Sequence, residues 1–233
     1  MHSLARAAID RGHKVTICAP ASQQSATSHR LTITNSLMAR EYAFEGATAY
    51  SVDGSPVDCV RVGRYLADSP VDFCLSGIND GENLGSGLYY SGTAAAAREA
   101  AMLNLPAIAV SIGVNANEEM RLNLAHVALD LMDKLSGEPM PRLTFASINA
   151  RALPVDQLKP LVLAPISDSF YIDSYIKRVN PRGVQYFWIE AGEMIEPAKP
   201  GTDVALFHQG HITCTFVGGF TDRNEQYRDK LER

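Results

Sequence analysis

The sequence predicts an α/β protein with a doubly wound, mostly parallel sheet. Apolar strand-like runs alternate with amphipathic helices through residues 1–149, the connections are short, and a glycine-rich turn joins one strand to the next helix. Residues 2–11 place Leu4, Ala7 and Ala8 on one apolar face, and Gly12 stands where a glycine ends a helix. Residues 13–19 read as a strand stopped by Pro20, and a serine-rich loop follows. Alternating polar and apolar residues at 31–37 and 42–52 predict antiparallel strands. Ser55 is a helix N-cap with Pro56 at the first helical position and Asp58 at the third, for a helix reaching about residue 67.

The next elements repeat the pattern. A strand at 71–75 leads through the glycine-rich turn to an alanine helix at 94–103 and a strand at 106–112. Leu124, Ala128, Leu131 and Leu135 define the buried face of a helix over 118–135, stopped by Gly137. A strand at 143–148 closes this half, which is Rossmann-like in its order of elements. From residue 150 to 233 the segments shorten, and Pro154, Pro160, Pro165, Pro181, Pro197 and Pro200 interrupt them. Strands are expected at 185–190 and 211–217 and a polar helix at 222–231, giving a β-rich C-terminal extension.

Composition excludes several classes. The chain has 233 residues, 46% hydrophobic and 20% charged, as for a globular domain with a sizeable core. A net charge of −5 offers no basic footprint for nucleic acid. No signal-like segment opens the chain, and its longest nearly apolar run, 105–114, is about half a bilayer span. The four cysteines, Cys18, Cys59, Cys74 and Cys214, lack CxxC spacing and read as reduced buried thiols of a cytoplasmic protein. The six histidines show no HxxxH spacing, so zinc is not expected. Neither GxxxxGK[ST] nor G-x-S-x-G is present.

Residues 76–93 carry the chemistry. Five glycines, Asn79, Asn83 and a run of hydroxyl side chains lie between a strand and a helix start, where backbone N–H groups gather around phosphate. Ser91, Gly92 and Thr93 open the alanine helix; they serve as caps, as phosphate contacts, or as both. Asp80 and Glu82, the acids of the loop, read as solvated, and Asp203 as a late-loop residue without an assigned role.

The segments Ser-Gly-Ile-Asn-Asp-Gly-Glu-Asn and Tyr-Ser-Gly-Thr resemble the signatures of the SurE family of stationary-phase survival proteins. Pro20, Ser25, Ser28, Leu31 and Thr32 resemble its serine loop, with Ala26 at a common glycine position and His29-Arg30 in place of Asn-Ser. The 54–60 segment resembles its G-T-P-x-D-C-V motif, Ser147-Ile148-Asn149 its N-I-N strand end, and Gly201-Thr202-Asp203 its G-T-D motif. The resemblance implies a metal-dependent phosphomonoesterase of nucleoside 5′- or 3′-monophosphates. It implies Ser25 and Asn79 as ligands of Mg²⁺ or Mn²⁺, and Ser91, Gly92, Thr93 and Asn83 as phosphate contacts. C-terminal arms that exchange in a homodimer or homotetramer are implied as well. The family opens on a strand ending Asn-Asp-Asp-Gly, whose aspartates are the remaining metal ligands. This chain opens at Met1-His2-Ser3-Leu4, on what resembles the helix after that strand. The expectation is a chain lacking that strand, binding metal weakly or not at all. The alternative reading is an inert oligomeric protein that binds phosphate or nucleotide without a complete metal site.

Overall fold

The computed structural model describes residues 2–137, 140–169, 171–194 and 198–218. The helix expected at 222–231 lies outside them. Helix α1 (His2–Asp10) buries Leu4, Ala7 and Ala8. It ends as expected at Gly12, where Gly12 N–H donates to Ile9 O at 2.8 Å and His13 N–H to Ala8 O at 3.1 Å, a Schellman closure at φ +83°.

Strand β1 (Val15–Pro20) pairs in parallel with β3 (Ala47–Val52), and the short β2 (Ala39–Glu41) adds antiparallel to β3. Residues 31–37 do not form the expected strand. The backbone and hydroxyl of Thr32 bond to Asp58 instead, which takes this segment away from a ladder partner. Helix α2 (Pro56–Leu66) starts with a reciprocal capping box between Ser55 and Asp58.

A second ladder orders its strands β4-β5-β6-β10-β7, comprising β4 (Cys74–Asp80), β5 (Ala107–Ile112), β6 (Phe145–Ala150), β7 (Lys159–Leu163) and β10 (His211–Val217). The first three run parallel; β10 is antiparallel to β6 and parallel to β7. The fold is thus α/β with a mostly parallel central sheet, as expected, and that sheet continues past residue 149 through β7 and β10. Helix α1 contacts β1, β4 and α4 (Glu118–Leu135), so one helix spans the two ladders.

Every residue of β5 and β6 is buried, which is why these strands read as continuous apolar runs. Ile108, Val110 and Ile112 join Leu4, Leu124, Ala128 and Leu129 beneath α1 and α4. Ala107 and Ala109 face the opposite layer, with Ala94, Ala97, Ala100 and Ala101 of α3 (Gly92–Met102). Small residues on both sides bring that helix close to the sheet. Helix α2 packs on α3 and β1, and α5 (Asp203–His208) packs on β10.

Strands β8 (Tyr171–Val179) and β9 (Gln185–Met194) form a separate antiparallel hairpin. Tyr175, Val179, Val184, Phe187, Trp188 and Ile189 are all exposed on it.

Candidate functional site

The glycine-rich segment is part strand and part turn. The strand expected at 71–75 begins only at Cys74 and runs on through Asp80, so Ser76–Asp80 belongs to the sheet. Gly77 makes this path available. Its φ is +131°, and a Cβ there would lie 2.2 Å from Val110 O. The register against β5 shifts between Ser76 and Asn79, which carries Asn79 to the carboxyl end of the sheet. Asn79 Nδ2 donates to Gly81 O at 2.8 Å and to Asp80 O at 3.3 Å, fixing the orientation of its amide.

Beyond it, a ring of buried polar groups holds the turn. Asn149 Oδ1 accepts from Asn83 N–H at 2.8 Å, and Asn83 Nδ2 donates to Ser111 Oγ at 2.8 Å. Asn83 therefore spends its amide nitrogen inside the fold. Asp203, 1% exposed, accepts from Gly85 N–H at 2.9 Å, Ser167 N–H at 2.7 Å and Val204 N–H at 2.8 Å. One carboxylate joins the glycine turn, the 165–169 segment and the start of α5. The sequence reading left Asp203 without a role. A signal was available, because an acid at the first position of a helix favours the dipole's positive end.

Ser91 caps α3, accepting from Ala94 N–H at 3.1 Å. Gly92 and Thr93 then supply first-turn N–H groups, which have no partner within the helix. The serine loop comes to the same place. Ser28 N–H donates to Tyr90 O at 3.1 Å and Ser28 Oγ to Tyr89 O at 2.7 Å. A Cβ on Gly92 would stand 3.3 Å from Gln24 O and 3.0 Å from Pro56, so the loop, α2 and α3 meet there. Ser25 is exposed on this loop, its Oγ accepting from Gln23 Nε2 at 2.9 Å.

The loop has two further anchors. At its far end, Asp58 accepts from Thr32 N–H at 2.9 Å, Thr32 Oγ1 at 2.8 Å and Ser55 N–H at 2.8 Å. Burial pushes the Asp58 carboxyl up, but the hydrogen bonds from Thr32 and Ser55 together outweigh it and leave its pKa lowered. In its middle, His29 Nε2 lies 2.8 Å from Glu99 Oε2, while Arg61 Nε lies 2.6 Å from Glu99 Oε1. Glu99 is 1% exposed, and its carboxylate is met by the Arg61 guanidinium of α2 and by the His29 ring of the loop.

Ser25 and Asn79 are neutral oxygen donors. Among the described residues no group of three or more His, Cys, Asp or Glu is placed to hold a metal ion. Asp80 is paired with Arg121 of α4 at 2.5 Å, and Glu82 is exposed. Ser25 and Asn79 are thus at most the neutral part of a donor set for a hard divalent cation, whose dehydration calls for anionic oxygens.

Residues 1–173 match the family model described as "Survival protein SurE". The chain belongs to the SurE family. It is 38% identical over 212 residues to the 5'-nucleotidase SurE of Solidesulfovibrio magneticus, covering 89% of this chain and 81% of that protein. It is 35% identical to the 5'-nucleotidase SurE of Thermosipho africanus, over 96% of this chain and 88% of the relative. The crystal structure of the SurE protein from Aquifex aeolicus superposes with a TM-score of 0.79 at 30% identity, covering 99% of this chain and 93% of that one. SurE membership agrees with the motif order read from the sequence, and the structural likeness extends through the β-rich extension. No helix among the described residues is long and apolar enough to cross a membrane.

Proposed function

We propose that this SurE protein is a metal-dependent phosphomonoesterase that hydrolyses nucleoside 5′- or 3′-monophosphates to nucleoside and phosphate. The observation that carries this is the convergence of the serine loop with the N-terminus of α3, through Ser28, Tyr89, Tyr90 and Gly92. The 5'-nucleotidase names of its relatives support the same reading. In this reading the N–H groups of Gly92 and Thr93 face the phosphate at the positive end of the helix, with Ser91 holding that turn in shape. Asn83 acts by shaping the turn, since Asn149 and Ser111 engage it. Mg²⁺ or Mn²⁺ beside Ser25 and Asn79 would polarise the phosphoryl oxygen and activate water, with carboxylates additional to these two residues supplying the charge.

The exposed hairpin supports a homodimer or homotetramer as part of the proposal. Phe187, Ile189 and Tyr175 share one face of the hairpin and Trp188 stands on the other, all exposed, on an element whose dense contacts among the described residues are internal to it. A cytoplasmic location is also proposed, on the strength of four free cysteines.

The test is phosphate release from 5′-AMP and 3′-AMP with Mn²⁺, before and after EDTA, beside a chain carrying an added Asn-Asp-Asp-Gly strand. Metal-dependent release in the extended protein, reduced by Ser25→Ala, is expected. A folded extended protein that releases no phosphate from either nucleotide would overturn the assignment.

A further inference from the structure

Cys18 lies on β1 and Cys59 on α2. The two elements pack closely where Gly63 crosses the strand, since a Cβ on Gly63 would stand 3.0 Å from Cys18 Cβ and 3.6 Å from its Sγ. Cys59 precedes Gly63 by one helical turn and so projects from the same face of α2 onto the same strand. The two thiols are close enough to perturb each other's titration. The other two cysteines stand on β4 and β10 of the second ladder.

We propose that Cys18 and Cys59 form a redox-modification site, a dithiol that closes to a disulfide tying β1 to α2 on meeting a small-molecule disulfide such as oxidised glutathione. The Cys18 thiolate attacks one sulfur of the oxidant, breaking its S–S bond and expelling one glutathione thiolate. The Cys59 thiol then gives up its proton and attacks Cys18 Sγ. The Cys18–Cys59 bond forms as the mixed disulfide breaks, and the second glutathione leaves. The protein loses two hydrogens, and the oxidant is reduced to two thiols.

The surroundings divide the roles. Cys18 is half-buried and Cys59 only 3% exposed, so a soluble oxidant reaches Cys18 first. The neighbouring Cys59 thiol lowers the Cys18 thiol against the opposing effect of burial, and the Gly63 backbone helps. The same neighbour effect and burial push the Cys59 thiol up, so it reacts second, once Cys18 no longer carries the thiolate. Burial pushes the Cys74 and Cys214 thiols up to about 12, which makes them poor competitors. The bond would fix the helix whose first turn, through Ser55 and Asp58, holds Arg30 O and Thr32 of the serine loop.

The experiment treats the native full chain with excess oxidised glutathione, alkylates the remaining thiols and maps the peptides without reduction. A linked Cys18–Cys59 peptide that a dithiol fully reverses is expected, together with glutathione retained on Cys18 in Cys59→Ser. The proposal fails if glutathione stays on Cys18 of the unaltered protein. It fails equally if Cys74 or Cys214 reacts first, or if the native chain resists an excess that oxidises the unfolded chain. The unaltered protein decides the matter even if the variant does not fold, and the outcome is independent of any phosphatase activity.

Discussion

Replacing Asp58 with alanine tests whether one carboxylate holds the serine loop to the sheet. The side chain accepts three hydrogen bonds, from Thr32 N–H, Thr32 Oγ1 and Ser55 N–H. Ser55 is fully buried, so its N–H would lose its partner without gaining water, while Thr32 is half-buried and can be hydrated in part. At about 1–3 kcal/mol for an unsatisfied buried donor, and less for Thr32, Asp58→Ala should cost about 2–4 kcal/mol. The assay is urea unfolding of both proteins at neutral pH, followed by the same comparison at falling pH. The folded pKa of Asp58 is lowered, so its contribution is fully present above the unfolded carboxylate range and declines as pH falls through the folded value. The gap between the two proteins should therefore be constant near neutrality and narrow only in acid. A loss under about 1 kcal/mol, or a gap that widens on acidification, would refute this account of the anchor.

Other substitutions probe the site from different sides. Gly77→Ala combines φ +131° with a contact of 2.2 Å to Val110 O, so β4 and β5 cannot both keep their places; no folded soluble protein is expected, and a cooperative circular-dichroism melt near the parent's would contradict this. Asp203→Ala leaves the N–H groups of Gly85, Ser167 and Val204 without their acceptor. It should cost about 3–5 kcal/mol in urea unfolding and speed hydrogen exchange at Gly85. Glu99→Ala strands His29 and Arg61, of which Arg61 is 44% exposed, so a loss of about 1–3 kcal/mol is expected. A double-mutant cycle with His29→Asn should show coupling, and strict additivity would mean that the pair does not hold the loop.

How much of this was legible in the sequence depends on the range of the interaction that decides each element. Helices α1, α2 and α4 were readable because their ends are set by neighbours: Gly12 for the first, Ser55 with Asp58 for the second, and apolar spacing ending at Gly137 for the third. Strands β5 and β6 were readable because burial on both faces leaves an unbroken apolar run. Residues 31–37 misled because alternation is only a local pattern. Their polar groups find Asp58, more than twenty residues away, and the ladder goes instead to Ala39–Glu41. The start of β4 was displaced for a related reason. Gly77 looks like a turn residue, yet here it lets a strand pass close to Val110, and only the β5 register reveals that.

The site divides in the same way. Ser91 and Gly92 can be picked out by their place at a helix start and Ser28 by the family resemblance, and they meet where the loop crosses the start of α3. The groups that hold them are less visible, because a buried Asn149, Glu99 or Asp203 has the same letter as a solvated one. Each is distinguished by partners contributed from a distant segment: Asn83 for the first, His29 and Arg61 for the second, Gly85 and Ser167 for the third. A buried acid or amide is costly unless those partners are in place, so the rigidity of the turn and the loop is coupled to the fold of the whole sheet. Substitutions at these three positions should therefore lower stability and disorder the site together, whereas Ser25, exposed and with its hydroxyl accepting from the neighbouring Gln23 side chain, can be changed with the fold intact.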